Sequence, residues 1–295
     1  MLEGVNMQGG DILKVIKERQ STMSKGHRAV ANYIIDHYDT AAFITAARLG
    51  DMVGVSESTV VRFACALGFD GYPELQKKLQ ELIRTRLTNV QRMGLGNDMT
   101  EEELVKWSLR NDITSLRHVR EVLDYSMVQR VADSILSANH LYIMGLRSSA
   151  PLAQFFWYYL NYIVSNTTLV TYSIGGDIFG QLIHATKGDV VIAISFPRYS
   201  TRTMDGVRFA KNNGAKVIGI TDNEMSPLAA IADECLYVNS DMNLFVDSLV
   251  APLSVINTLV LLVGMRKKDG LRHNFEMLED LWRKHDVYTG KEDSQ

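Results

Sequence analysis

Apolar positions recur at a spacing of three and four residues through the first third of the chain, the period of helices with one buried face. Ile12, Leu13, Val15 and Ile16 mark a helix over residues 11–19. After Ser24, whose hydroxyl suits a helix N-cap, Ala29, Val30, Tyr33 and Ile34 return at helical spacing. Two shorter helices follow, then one from Pro73 to Arg86, where proline is tolerated in the first turn. Residues 89–100, with Gly94, Gly96 and Asn97, lose the period and predict a linker. Thr100 precedes Glu101, Glu102 and Glu103, which predicts a capped long helix with acid at its positive end.

From residue 140 the pattern changes to short β-rich runs: 141–144, 168–171, 190–194, 216–220 and 236–238. Most are continuously apolar rather than alternating, as strands covered on both faces are. Helix-length segments separate them. This predicts a parallel sheet with helices on both sides, binding ligand beyond the carboxyl ends of its strands. The expected organisation is a helical domain over 8–88, a linker and connecting helix over 89–124, an α/β domain over 125–268, and a terminal helix and tail over 269–295. The apolar stretch from Leu249 to Val263 is short for a membrane span and holds Pro252, Ser254, Asn257 and Thr258. It predicts a helix buried in a core or an oligomer interface, not a membrane segment.

Composition changes this picture little. A 46% hydrophobic, 22% charged chain of 295 residues is an ordinary globular protein large enough for two domains. Its net charge of −3 carries no nucleic-acid signal, but residues 1–88 hold 11 Lys+Arg against 10 Asp+Glu while the remainder is acidic. Lys77, Lys78, Arg84, Arg86 and Arg92 form a basic run that fits phosphate contact or a solvated helix face. Cys65 and Cys235 are isolated, so no disulfide framework is expected and a reducing cytoplasmic location fits. No close pair of metal ligands occurs, and no Gly-x-Gly-x-x-Gly follows the first strand, so neither zinc nor a dinucleotide cofactor is expected. The N-terminus has no basic and apolar leader, so no signal peptide is expected.

The sharpest local motif runs from Ala46 to Phe63. A short helix reaches Val53, Gly54 permits a tight turn, Val55 plugs the angle and Ser56 caps a second helix. Leu49, Val53, Val60 and Phe63 converge on the crossing. Gly50 stands where such motifs usually carry alanine, avoiding a clash at a cost of about 1 kcal/mol in helix propensity. Ser56, Glu57, Ser58, Val61 and Arg62 would then face a DNA major groove, Arg62 to read guanine or clamp phosphate and the serines to meet phosphate. A helical pair within a protein-interaction module has the same spacing.

Residues 11–88 resemble the N-terminal domain of the RpiR/MurR family of bacterial regulators. Ser24, Lys25, Arg28, Ala31, Tyr33 and Ile34 carry the resemblance, with Gly54-Val55-Ser56-Glu57-Ser58-Thr59-Val60-Val61-Arg62-Phe63, then Leu67-Gly68-Phe69 with Gly71 and Tyr72. It implies DNA contacts from Ser56, Glu57, Ser58, Thr59, Arg62, Arg28 and Lys25. It also implies that the second domain is a sugar isomerase (SIS) domain, a flavodoxin-like α/β fold that binds phosphosugars.

That domain's first ligand loop often reads Gly-x-Gly-x-Ser. Gly145-Leu146-Arg147-Ser148-Ser149 matches it at Gly145 and Ser149, with Arg147 in place of the second glycine. The second loop commonly reads Ser-x-Ser-Gly-x-Thr; here Ser195-Phe196-Pro197-Arg198-Tyr199-Ser200 keeps Ser195 and a hydroxyl at Ser200, with Pro197-Arg198 in place of Ser-Gly. A backbone and hydroxyl cradle is thus partly replaced by guanidinium groups, which fork onto phosphate or carboxylate. An anionic sugar, sugar phosphate or sugar acid is the expected effector. Ser148 and Ser149 would alternatively serve only as caps for the following helix. Gly175-Gly176-Asp177 would line the pocket or form a plain turn. His184 is expected to pack rather than catalyse, and Trp157, Tyr158 and Tyr159 to belong to a core or dimer face.

Together these features predict a regulator, a repressor of carbohydrate or polyol catabolism genes, that binds a double-stranded operator as a homodimer or homotetramer. Two other readings stay open. A sugar-phosphate isomerase would need a Glu or His base, and neither ligand loop holds one, leaving only His184 and Glu224 outside them. A protein-interaction adaptor would use the helical domain as a docking surface.

Overall fold

The structure is a computed structural model describing residues 12–86, 89–94, 99–172 and 177–288. It divides into two compact units. One comprises the chain up to Ser108 together with Met242–Asp247, and the other Leu109–Asp241 with the chain from Ser248.

The helical unit begins with α1 (Ile12–Arg19), α2 (Lys25–Asp36), α3 (Tyr38–Ala41), α4 (Ala46–Val53), α5 (Glu57–Ala66), α6 (Tyr72–Arg86) and α7 (Asn89–Gly94). Ser24 caps α2 by accepting from the His27 N–H at 3.3 Å. Pro73 lies in the first turn of α6. Leu13, Ile16, Val30, Ile34, Leu49, Val60, Phe63, Leu75 and Leu79 form one core, so each helix turns its apolar stripe inward. Tyr72 is buried there with its hydroxyl on the Ala41 carbonyl at 2.7 Å, and burial pushes its titration up. α8 (Glu101–Val122) opens with a reciprocal cap: the Glu103 N–H donates to the Thr100 hydroxyl at 3.3 Å, and the Thr100 N–H to the Glu103 carboxylate at 2.9 Å.

The expected linker over 89–100 is helical in its first part, and residues 95–98 lie outside the described residues. Asn89–Gly94 is helical and Arg92 is fully buried, donating to the Leu244 carbonyl at 2.7 Å and the Asp247 carboxylate at 2.8 Å. Arg92 therefore cannot belong to an exposed basic stripe. Its partners lie more than 150 positions along the chain, beyond the reach of any local pattern.

The second unit continues with α9 (Tyr125–Ser137), β1 (Leu141–Gly145), α10 (Ala150–Leu160), β2 (Thr167–Val170), α11 (Ile178–Leu182), β3 (Val190–Ile194), α12 (Thr201–Asn212), β4 (Lys216–Thr221) and β5 (Glu234–Tyr237). The chain then forms a small hairpin, β6 (Met242–Asn243) and β7 (Val246–Asp247), followed by α13 (Val250–Arg266) and α14 (Lys268–Lys284). β1 to β5 form one parallel sheet in the order β2-β1-β3-β4-β5. Alternate residues feed opposite layers: Ile143, Ile192, Ile194 and Ile218 join Phe156, Val255 and Ile256 on one face, while Tyr142, Met144, Val191 and Val217 join Leu182, Met204 and Val207 on the other. Both faces are dry, which explains the continuous apolar runs. The order reverses between β1 and β3, so the chain leaves these neighbours in opposite directions and opens a crevice at their carboxyl ends. α13 buries Val255, Ile256, Leu259 and Val263 in the core but leaves Leu261 and Met265 exposed. No single helix among the described residues is long and apolar enough to cross a membrane.

Candidate DNA-reading and ligand-binding sites

α4 and α5 meet through a three-residue turn. Gly54 takes φ +71°, ψ +36° and ends α4, and the Val55 N–H returns to the Gly50 carbonyl at 2.9 Å. Ser56 then caps α5, accepting from the Thr59 N–H at 3.3 Å. A Cβ on Gly50 would stand 2.7 Å from the Val55 carbonyl oxygen and 3.3 Å from the Glu57 nitrogen. The backbone itself fills the space an alanine methyl would need, so glycine is required at this close crossing.

α5 splits cleanly between its two faces. Val60, Phe63 and Ala64 are buried, whereas Ser56, Glu57, Ser58 and Arg62 are exposed. The Arg62 guanidinium lies back along the helix, donating to the Ser58 carbonyl at 3.2 Å and hydroxyl at 3.4 Å, and these weak solvent-exposed contacts leave it able to swing outward. Thr59 and Val61 are half-buried. The Thr59 hydroxyl is 2.9 Å from that of Ser56, and its methyl group would lie 3.2 Å from a Cβ on Gly26. The first turn of α2 therefore rests against that of α5, which carries exposed Lys25 to the same end. Arg28 is tied down: its guanidinium donates to the Ser21 and Met23 carbonyls at 3.3 and 3.1 Å. It holds the preceding turn in place and is only partly available to a ligand. Lys77 and Lys78 are half-buried, and the side chains of Arg84 and Arg86 lie outside the described residues.

The two candidate ligand loops leave the carboxyl ends of adjacent parallel strands, β1 and β3, which pair through Gly145 and Ile194. Gly145 has no room for a side chain, since a Cβ would meet the Ser149 carbonyl oxygen at 2.6 Å and the Ala153 Cβ at 2.9 Å. Strand end and helix start are thus pressed together, and the intervening backbone forms a 3-10 turn over Arg147–Ser149. Ser149 makes no side-chain cap to α10 and is buried, while Ser148 is exposed. In the second loop Ser195 is buried, Arg198 is exposed, and Ser200 caps α12 by accepting from the Thr203 N–H at 3.4 Å. Among the described residues the Ser200 hydroxyl donates to no partner.

Arg147 and Arg198 have φ of +56° and +61°. Such a conformation costs an L-residue about 1–2 kcal/mol. These are the positions where the loop patterns carry glycine, so the backbone keeps the glycine geometry while the side chain is a cation. Neither guanidinium is paired with a charged side chain among the described residues.

Two neighbours of this edge have no local sequence signal. The Tyr199 hydroxyl donates to the Asp222 carboxylate at 2.8 Å, joining the loops after β3 and β4. Thr203 is fully buried with its hydroxyl unpartnered among the described residues. Gly175 and Gly176 lie outside the described residues, and Asp177 caps α11 by accepting from the Phe179 N–H at 3.1 Å. His184 is exposed, not packed as its place in a helical pattern predicts, and Glu224 is exposed too. Trp157 packs half-buried against the core, while Tyr158 and Tyr159 remain on the surface.

Comparison with known proteins agrees with both units. Residues 10–86 match a helix-turn-helix domain of the rpiR family, and residues 134–262 match the SIS domain. The chain joins an rpiR-family helix-turn-helix domain to a SIS domain. It is similar to the HTH-type transcriptional regulator HexR of Pseudomonas aeruginosa, 27% identical over 87% of this chain and 90% of that one. HexR of Escherichia coli is also 27% identical, over 92% and 93%. Among solved structures, the Vibrio vulnificus NanR protein complexed with ManNAc-6P superposes with a TM-score of 0.54 at 19% identity, covering 92% of this chain and 99% of that one. The sugar isomerase domain of an RpiR transcription factor from Sphaerobacter thermophilus gives 0.55 at 24% identity, over 58% and 96%. The RpiR helix-turn-helix and the named relatives make the chain a transcriptional regulator, not an isomerase.

Proposed function

We propose that this regulator represses carbohydrate or polyol catabolism genes and is controlled by a small anionic sugar, a sugar phosphate or sugar acid, held between the loops after β1 and β3. DNA is met by Ser56, Glu57, Ser58 and Arg62 of α5, with Lys25 at the same end and Thr59 and Arg28 supporting the backbone there. The ligand's anion is met by Arg198 with the Ser149, Ser195 and Ser200 hydroxyls; Arg147 and Ser148 assist from the first loop, against Gly145.

One observation carries the sensor reading: two arginines hold a costly left-handed backbone at the crevice of the sheet. A structural role alone would be served better there by glycine. NanR, a protein of the same fold, is complexed with ManNAc-6P, which supports a phosphorylated sugar as one form of the effector.

The ligand acts by binding two conformations with different affinity, and DNA binding shifts with their populations. The regulator binds DNA as a dimer or tetramer, since paired half-sites require paired readers. A thermal-shift screen of sugar phosphates, sugar acids and polyols, followed by DNA binding with each hit, tests this reading. A stabilising anionic hit that changes DNA affinity supports it; stabilisation by neutral polyols alone contradicts it.

A further inference from the structure

The hairpin β6–β7 lies in the sequence of the sensor domain, four residues beyond β5, yet its structure belongs to the helical unit. Two strands of two residues, paired Met242 to Asp247 and Asn243 to Val246, have no stability of their own. The helical unit supplies what holds them. Leu244 is buried in its core, with a left-handed φ of +53°. Arg92 of α7, fully buried, grips the hairpin at two points, the Leu244 carbonyl and the Asp247 carboxylate. The third nitrogen of that guanidinium, Nη1, is buried with no partner for its N–H groups among the described residues. A buried cation with an orphan nitrogen is a costly device for anchoring a surface loop.

The base of the hairpin is held inside the other unit. The Ser248 N–H donates to the Asp241 carbonyl at 2.7 Å, the Ser248 hydroxyl to Asp112 at 2.6 Å, and the Ser115 hydroxyl to the Asp241 carboxylate. From there a bonded series runs back along the sheet edge. Val238 donates to the Thr221 carbonyl at 2.8 Å, Asp222 accepts from Tyr199 at 2.8 Å, and the Ser195 N–H donates to the Ile220 carbonyl at 3.1 Å. Tyr199 and Ser195 belong to the second candidate ligand loop. All these strands are parallel, so the chain leaves β5 at the edge on which that loop lies.

We propose that Met242–Asp247 is the element through which the ligand-binding edge and the DNA-binding unit sense each other, and that Arg92 is its latch. The proposal rests on the functional reading above for what each unit binds. A shift of the loop at Ser195–Ser200 moves Asp222 and the end of β5, and the hairpin delivers that displacement to Arg92. α7 follows α6 in the chain, and α6 packs against α5. The coupling route is then a strap with a specific lock, in addition to the covalent connection through α8, along which the chain passes from one unit to the other at Ser108–Leu109.

Coupling is reciprocal, so it can be measured from the DNA side with no effector in hand. The probe is a duplex selected from a random-sequence pool by the wild-type full-length chain. Hydrogen exchange is followed with and without it, for the wild type and for Arg92→Met combined with Asp247→Leu. This pair removes both charges together while keeping apolar bulk. The single variant Arg92→Lys keeps the charge but loses the fork, and serves if the double variant does not fold. In the wild type, DNA changes exchange at residues 195–200 and 238–248 by about fivefold or more. In either latch variant DNA affinity without effector is retained, and the exchange change at residues 195–200 is lost. Persistence of that change in a folded variant, or its absence from the wild type, overturns the latch while leaving the DNA reading intact. A wild type that selects no duplex overturns the DNA reading and the latch with it.

Discussion

Arg147 and Arg198 share a backbone conformation that L-residues avoid, with φ of +56° and +61°, just beyond the ends of two adjacent parallel strands, β1 and β3. The left-handed turn and the cation are separable by substitution. Arg198→Ala removes the guanidinium but keeps the Cβ that makes the turn costly. Arg198→Gly removes both. The glycine variant should be the more stable of the two by up to about 1 kcal/mol, after the entropy that glycine adds to the unfolded chain. That is a difference of a few degrees in melting temperature for a domain of this size, about 2–4 °C per kcal/mol. Equal melting temperatures for the two variants would show that the turn stores no strain.

Gly50→Ala tests the helix crossing. Alanine gains about 1 kcal/mol of helix propensity, but its methyl meets the Val55 carbonyl at 2.7 Å, and overpacking of this kind costs about 1–3 kcal/mol. Net destabilisation and weaker DNA binding are expected, because the turn that sets the start of α5 must open. Chemical denaturation and a mobility-shift assay on the same preparation check both. A more stable variant with full DNA affinity would mean that the crossing adjusts without loss.

Arg62→Ala should weaken specific DNA binding by about 1–3 kcal/mol if the guanidinium takes a guanine edge, and relax preference at one base position. If it contacts only phosphate, binding falls evenly across sequences and the salt dependence drops by about one ion. Arg28→Ala should differ from both. Its carbonyl contacts hold the turn before α2, so the expected loss is in stability as much as in affinity. Anisotropy titrations at several salt concentrations separate these outcomes.

The exposed side of α13 gives an assembly prediction. Leu261 and Met265 are 65% and 67% exposed, on a helix whose other side fills the core. The wild type should be a dimer or tetramer by light scattering at micromolar concentration. Leu261→Glu with Met265→Glu should yield a smaller assembly of unchanged helical content. A monomeric wild type refutes the assumption of paired DNA readers.

Much of this was legible along the chain wherever the determining contacts are local. The cap at Ser24, the Gly54 turn, Ser56 ahead of α5 and the Thr100–Glu103 box are all decided within four residues. The strands at the centre of the sheet, β1, β3 and β4, were visible because both faces are covered there, making their runs almost continuously apolar. What escaped was decided by distant neighbours. Arg92 looked like part of a basic surface because its anchors belong to a hairpin encoded after the sheet. Arg147 and Arg198 were recognisable as departures from glycine, but only the backbone reveals that the glycine conformation was kept.

The central claim is that an anion bound at these arginines controls DNA affinity. The most direct measurement is the effector concentration giving half of the change in DNA affinity, in the wild type and in Arg198→Ala. A charge-assisted contact is worth about 1.5–3 kcal/mol, and about 1.4 kcal/mol is one decade. The variant should therefore need at least about ten times more effector, with DNA affinity in its absence unchanged. The same half-effect concentration in both proteins would place the effector elsewhere and contradict the account.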